Sequence, residues 1–339
     1  MMFFIEKAVC RNFSRVLRHF STKLETNVNN LTCNQFEVVN NNNISNELKK
    51  SLKVAIIGLP NAGKSTLINQ LVNRTICPTS EKVHTTREKA EAILVSDNIQ
   101  LIIIDTPGLV SNRDLKAYEM GSTFRDDVNK SLRKADIVGV VQDMENPRAH
   151  ENISKRLLPL LDAYGKDRAT ILILNKIDRI KRKATLLEII KNLTNKKNWP
   201  YFQDIFMISA LHNDGVTDIR NYFLDIAKEK KWEYNTEMYT DQKPEIIVER
   251  TVRAKLMDNL PQEMPYRLTI ELEHFVVSKE GNIASTVKII CPNERISKIV
   301  VGPGGRRVKS ISTECEKDLS NAFRTIFTLK LSILFKGKK

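Results

Sequence analysis

Gly58-Leu59-Pro60-Asn61-Ala62-Gly63-Lys64-Ser65 follows the apolar run 53–57 and leads into Thr66-Leu67-Ile68-Asn69-Gln70-Leu71-Val72. The order is strand, glycine-rich turn, helix, with the spacing G-x-x-x-x-G-K-S of a phosphate-cradling loop. Its residue types answer to the chemistry. Two glycines let backbone N–H groups curl around an anion with no side chain in the way. The helix that follows aims its N-terminal N–H groups and positive dipole end at the phosphates. Lys64 is then placed to reach the β- and γ-phosphates, and the Ser65 hydroxyl to ligate Mg²⁺. Gly58, Pro60, Asn61, Ala62, Gly63 and Thr66 supply the rest of the cradle.

Downstream, to about residue 232, short β-rich apolar runs alternate with helical patterns, the mark of an α/β fold with a parallel sheet. The runs predict strands over 53–57, 90–95, 99–104, 137–142, 170–174 and 203–208. Helices are predicted over 64–73, 114–133, 150–163, 184–196 and 215–231. Ligands in such folds sit beyond the carboxyl ends of the strands, and polar motifs follow the strands here. After 99–104 comes Asp105-Thr106-Pro107-Gly108. An acid there can hold the Mg²⁺ shell through water, and the Gly108 N–H can sense a γ-phosphate. After 170–174 comes Asn175-Lys176-Ile177-Asp178. The Asp178 carboxylate can accept from guanine N1–H and N2–H₂, whereas adenine would leave it unpaired. Lys176 can lay its stem over the base, and Asn175 can tie this loop to the phosphate loop. The backbone of Ser209-Ala210-Leu211, after the last strand, can contact the guanine O6. Between the phosphate loop and strand 90–95 lies His84-Thr85-Thr86-Arg87. A threonine there can ligate Mg²⁺ and order a switch segment with GTP; Thr86 is the first choice and Thr85 the second. The nucleotide read from these motifs is GTP or GDP.

These motifs, with the apolar Leu109 and Val110 after Gly108, resemble the GTPases of the TrmE–Era group. Ras-like enzymes carry a water-positioning glutamine where Leu109 stands. The resemblance implies a K⁺ ion held partly by Asn61, offsetting charge that develops in phosphoryl transfer. It implies a catalytic set of Asn61, Lys64, Thr86 and Gly108, and slow intrinsic hydrolysis, on the order of 10⁻³ s⁻¹ or less. His84 departs from the glutamine common at its position in bacterial relatives.

Past Trp232 the composition changes. The polar stretch 233–245 predicts a linker, with Pro244 breaking the pattern. Beyond it the chain reads helix (246–259), strand (266–275), strand (284–291), turn, helix (306–320) and strand (326–335). The turn contains Gly302-Pro303-Gly304-Gly305 followed by Arg306, Arg307 and Lys309. A G-x-x-G loop joining two helices beside a three-stranded sheet is the nucleic-acid clamp of a KH domain. Pro303 removes one donor N–H, and the basic residues after it restore positive charge. Between 243 and 339 there are 18 Lys and Arg against 11 Asp and Glu. The order of elements, with Leu260-Pro261-Gln262-Glu263-Met264-Pro265-Tyr266, resembles the type II KH domain of the Era family. The expected fold class is therefore a P-loop GTPase domain with a mostly parallel sheet over 51–232. A smaller α+β type II KH domain over 246–335 follows it.

The whole chain of 339 residues has 41% hydrophobic and 28% charged residues, ordinary for a globular protein, but a formal net charge of +14. That excess points to a polyanionic partner. The basic run Arg179, Lys181, Arg182, Lys183, Lys191, Lys196 and Lys197, set against Glu188 alone, adds to it. The five cysteines form no C-x-x-C pair and read as free thiols in a reducing compartment. No apolar run approaches membrane-spanning length. Residues 1–24 carry Lys7, Arg11, Arg15, Arg18 and Lys23 against Glu6, with most of these cations opposite an apolar helical face. That is the pattern of an organelle transit peptide. Residues 25–50, with Asn40 to Asn43 in a row, read as a linker or disordered stretch. Together these features resemble the mitochondrial branch of the Era family. The resemblance implies a matrix protein that binds small-subunit rRNA near its 3′ end and assembles the mitochondrial small ribosomal subunit. Its basic surface also suits peripheral contact with the inner membrane. Alternative readings are a GTPase of tRNA modification and a membrane-associated regulatory GTPase. The first resembles a different architecture, ending in a reactive cysteine, and no lipidation signal supports the second.

Overall fold

The apolar runs assemble into two sheets. The computed structural model describes residues 48–80, 90–106, 108, 123–165, 168–195, 199–261 and 264–335. The transit-like segment, Thr85 and Thr86 with their neighbours, and Leu109 with Val110 lie outside these residues.

The first sheet is built from β1 (Lys50–Gly58), β2 (Ala90–Ser96), β3 (Ile99–Asp105), β4 (Ile137–Asp143), β5 (Ala169–Asn175) and β6 (Asp204–Met207). Its order is β2-β3-β1-β4-β5-β6, parallel throughout except for β2, which runs antiparallel to β3. β1 lies in the middle and is buried from Ser51 to Gly58, as a parallel strand covered on both faces must be. Leu52, Val54 and Ile56 pack with Leu67, Leu71 and Phe223 on one face. Ala55 and Ile57 pack with Leu132, Leu161 and Leu186 on the other. The flanking helices are α1 (Lys64–Val72), α2 (Thr123–Lys134), α3 (Leu158–Tyr164), α4 (Thr185–Leu193) and α5 (Val216–Asp225).

Two predicted helices are shorter than the sequence pattern indicates. The helix read over 150–163 is α-helical only from Leu158, because Pro159 has no N–H to donate and is confined to a first turn. A separate 3₁₀ turn, Pro147–His150, is capped by the Asn146 side chain accepting from the Arg148 N–H. The helix read over 215–231 stops at Asp225. Lys228–Glu229 (β7) then turns back to pair antiparallel with Ser51 and Lys50 of β1.

The polar segment read as a linker is strapped across the sheet. The Lys53 ammonium lies 2.5 Å from Glu233 and 3.5 Å from Glu91, with Lys53 and Glu91 both buried. The Tyr234 hydroxyl donates to Glu91 (2.8 Å), and Gln100 Oε1 accepts from the Glu233 and Tyr234 N–H groups. Asp241 Oδ1 accepts from the Glu91 N–H (2.8 Å), and Ile93 N–H donates to Tyr239 O. The stretch thus satisfies buried polar groups that the sheet alone would leave open.

The second sheet comprises β8 (Thr269–Val277), β9 (Ile283–Cys291) and β10 (Phe327–Phe335) in the order β10-β9-β8, with β9 parallel to β10 and antiparallel to β8. α6 (Pro244–Asn259), α7 (Glu294–Val301) and α8 (Arg306–Phe323) accompany it. Val252, Val287, Ile289, Ile311 and Leu319 form its core. α7 occupies the stretch before the glycine loop, where the sequence pattern predicts a turn. Asn293 caps it, its side chain accepting from the Ile296 N–H at 3.0 Å, and that Asn-x-x signal is visible in the sequence. The units meet beyond α1. The Thr75 N–H and hydroxyl both donate to Asn321 Oδ1 (2.7 and 2.9 Å), Arg74 donates to Ala322 O, and Ser80 donates to Asp258. The Arg74 guanidinium also stacks on the Tyr239 ring, 4.3 Å from its centroid. Among the described residues, no helix is long and apolar enough to cross a membrane.

Lys53→Ala removes the buried ammonium that faces Glu91. The expected loss is about 3 kcal/mol of unfolding free energy, read from urea denaturation; an unchanged midpoint would mean that the strap adds nothing to stability.

Candidate functional site

The ends of β1, β3, β5 and β6 bring the predicted motifs to one edge. After β1 the chain must turn sharply between Val141 and the next helix. A Cβ on Gly58 would lie 2.6 Å from Val141 O, so only glycine fits. Asn61 (φ 58°) and Gly63 (φ 88°) both adopt left-handed backbone. Gly63 leads into α1 without a capping side chain, which leaves the first-turn N–H groups to an anion. Lys64 folds back over the loop, its ammonium donating to Leu59 O (2.9 Å) and Gly58 O (3.3 Å). Burial lowers this ammonium to about 8, and the facing Asp105 carboxylate offsets only part of that.

The Ser65 hydroxyl donates to Asp105 Oδ2 at 2.8 Å. Burial raises the Asp105 carboxyl, while the Lys64 charge and the Ser65 hydroxyl pull it back. Its second oxygen, Oδ1, is buried and accepts no hydrogen bond within ordinary geometry, although the Cys77 thiol is a close neighbour. An orphaned carboxylate oxygen beside a serine hydroxyl fits a hydrated Mg²⁺, which needs few protein ligands and keeps its waters. Among the described residues, no cluster of three or more His, Cys, Asp or Glu offers a competing metal site. Thr106, which sequence reasoning passed over, anchors the turn after β3 by donating to Ile56 O at 2.6 Å. Gly108 lies against the phosphate loop: a Cβ there would be 2.9 Å from the Pro60 backbone and 3.1 Å from Lys64 Nζ.

Asn175, buried at the end of β5, donates to Ala62 O (2.8 Å) and accepts from the Ala210 N–H (2.9 Å). One side chain therefore links the phosphate loop, the Asn175–Asp178 loop and the Ser209–Leu211 loop. Lys176 adopts left-handed backbone (φ 65°) and its ammonium meets Asp143 (2.8 Å) and Glu145 (3.2 Å). Burial opposes its charge, but those two carboxylates outweigh it and raise the ammonium above its ordinary range. Neither acid was singled out in the sequence; Asp143, at a strand end, carried the same positional signal as Asp105. Asp178 is partly exposed, 3.5 Å from Arg179 and 3.9 Å from His212. Ser209 and Asp214 exchange backbone hydrogen bonds that close the last loop, leaving Leu211 exposed. Thr66 sits in the first turn of α1. Thr86 lies outside the described residues.

In the second unit, Gly302, Gly304 and Gly305 all have positive φ, and the space around Gly304 and Gly305 is open. Pro303, Gly304, Arg306 and Lys309 are exposed. Arg307 instead turns inward, its guanidinium donating to Ile299 O at the end of α7.

The family described as 50S ribosome-binding GTPases matches residues 53–176. A mitochondrial GTPase Era from Danio rerio is 34% identical over 339 aligned positions, taking in 85% of this chain and 76% of that one. The chain belongs to the Era GTPase family. A GTPase Era from Erythrobacter litoralis is 32% identical, with 82% of this chain and 88% of that one covered. A crystal structure of Era in complex with MgGDPNP and nucleotides 1506–1542 of 16S ribosomal RNA superimposes with a TM-score of 0.71 at 26% identity. That match takes in 86% of this chain and 95% of that one. A point variant of Aquifex aeolicus Era bound to GDP and AlF₄⁻ superimposes with the same TM-score of 0.71, at 25% identity, over 85% of this chain and 95% of that one. As an Era-family member the protein is a GTP hydrolase, and the expected fold class, a P-loop GTPase domain followed by a KH domain, is the one found.

The lowered Lys64 ammonium has a consequence for nucleotide binding. Phosphate charge at that ammonium would restore its proton, so binding above pH 8 takes one up. GDP affinity should therefore fall as pH rises above about 8, by up to about tenfold per unit, in calorimetric titrations. An affinity independent of pH through that range would show that Lys64 does not face the phosphates.

Proposed function

We propose that the protein is a GTP-dependent switch on small-subunit rRNA, binding near its 3′ end and serving assembly of the mitochondrial small ribosomal subunit. The observation that carries this reading is the hydrogen-bonded junction of Arg74, Thr75 and Ser80 with Asp258, Asn321 and Ala322. It joins the segment leaving α1 to the helices of the KH unit. Likeness to the solved Era bound to 16S rRNA nucleotides supports the choice of RNA. The mitochondrial names of its relatives, with the Arg-rich segment 1–24, support the matrix as its compartment; the basic surface leaves room for peripheral contact with the inner membrane.

In this mechanism Gly58 to Thr66 cradle the phosphates, and Lys64 holds the β- and γ-oxygens. Ser65, Asp105 and Thr86 would hold Mg²⁺, which would supply positive charge to offset that of the phosphates. Gly108, pressed against Pro60, presents its N–H to the γ-phosphate. Asn61 would help to hold a K⁺ ion, whose charge would supply the stabilisation that an arginine finger provides elsewhere. Asp178 reads guanine, Lys176 covers the base, and Asn175 with Ser209, Ala210 and Leu211 shapes the pocket. On the RNA side, Gly302 to Gly305 approach the phosphate backbone, flanked by Arg306 and Lys309, while Arg307 acts chiefly by fixing the loop.

Crosslinking the protein to RNA in organelles and sequencing the attached fragments tests the assembly reading. Small-subunit rRNA should be enriched, and its absence would overturn the proposal. Asp178→Asn should shift preference from guanine toward xanthine nucleotides by about 100-fold or more; unchanged GTP affinity would remove Asp178 from the base site. Turnover should fall when K⁺ is replaced by Na⁺, and indifference to that exchange would exclude the role given to Asn61.

A further inference from the structure

The basic run after the guanine loop forms a rigid surface that the nucleotide site does not use. Lys181, Arg182 and Lys183 are exposed between the Asn175–Asp178 loop and α4, and Lys191 is exposed further along that helix. Among the described residues, none of these four side chains makes an ion pair. Lys53, Lys176, Lys255 and Lys288, by contrast, each meet a carboxylate within 2.8 Å. The segment is not loose. The Thr185 hydroxyl and N–H both donate to Arg182 O, the Ile180 N–H donates to Ile177 O, and Leu186, Ile189 and Leu193 bury the other side of α4.

This placement is unfavourable for the isolated protein. Three cations crowd the amino end of α4, where the helix dipole is itself positive. Only Glu188 offers an opposite charge between Arg179 and Asn195. An anionic partner would relieve both repulsions. The cations are spread over an exposed turn and helix face rather than gathered in a pocket, which suits successive phosphates of a backbone better than one small anion.

We propose that Lys181, Arg182, Lys183 and Lys191 form a second RNA-backbone contact on the G domain, beside the base-reading loop and separate from the KH loop. The inference rests on the reading that this chain binds RNA. Its consequence is that bound RNA touches the element carrying Asp178 as well as the KH unit.

The test uses the full chain and an oligoribonucleotide matching the 3′ end of small-subunit rRNA, including a duplex segment. Affinity is read by fluorescence anisotropy across a potassium chloride series. The triple variant K181A/R182A/K183A should retain its GDP affinity, which shows that it is folded. The slope of log affinity against log salt should become shallower by about 2, with affinity at physiological salt falling by about tenfold or more. K191A alone should change the slope by less than about 1. An unchanged slope in the triple variant, with the wild type binding RNA normally, would overturn this contact and leave the RNA reading intact. Loss of binding to vesicles containing cardiolipin, with RNA binding unaltered, would overturn it in favour of a membrane surface. A wild type that binds no RNA would overturn the parent reading and this contact together.

Discussion

Asn175 is the side chain that holds the loops at the carboxyl edge of the first sheet in place. It sits at the carboxyl end of β5, with its amide donating to the phosphate loop at Ala62 and accepting from Ala210. Both bonds are buried, where an unmade hydrogen bond costs the full desolvation of the group left behind. The contact also fixes a neighbour: a Cβ on Gly63 would lie 2.1 Å from the Asn175 amide nitrogen. The glycine that takes the left-handed turn into α1 is therefore also the glycine that lets the amide in. One side chain thus holds the loop after β1 and the loop after β6 to the end of β5.

A second constraint connects this edge to the KH unit. The segment after α1 leaves through Arg74, Thr75 and Ser80, each bonded to a helix of that unit. On the far side of residues 81–89, β2 begins at Ala90, and Asp241 of the strap holds the Glu91 N–H. The strap continues directly into α6. Both ends of the stretch containing Thr86 are thus tied to elements that lead into the second sheet.

Much of this was legible in the sequence where local chemistry and position agree. Short β-branched apolar runs such as 101–104 and 171–174, each ended by a polar motif, read as covered strands, and the strand ends then locate Asp105, Asn175 and Ser209. The G-x-x-x-x-G-K-S spacing needs no tertiary context to be read. The strap was not legible, because Glu233, Tyr234 and Asp241 look solvated until Lys53 and the edge of β2 are brought against them. Arg307 was legible only in part: a cation beside a G-x-x-G loop reads as a phosphate ligand, and its bond to the carbonyl of Ile299 is set by the fold. α7 escaped because it is eight residues long and follows a strand closely, so its cap was the only strong local signal.

Whether the nucleotide state alters RNA affinity decides whether the two units act as one switch. Binding of the full chain to a small-subunit rRNA 3′-end fragment should be measured with a non-hydrolysable GTP analogue and with GDP, at one salt concentration. Coupling through the Thr75–Asn321 junction and the strap predicts affinities that differ by about fivefold or more. Equal affinities in the two states would contradict it.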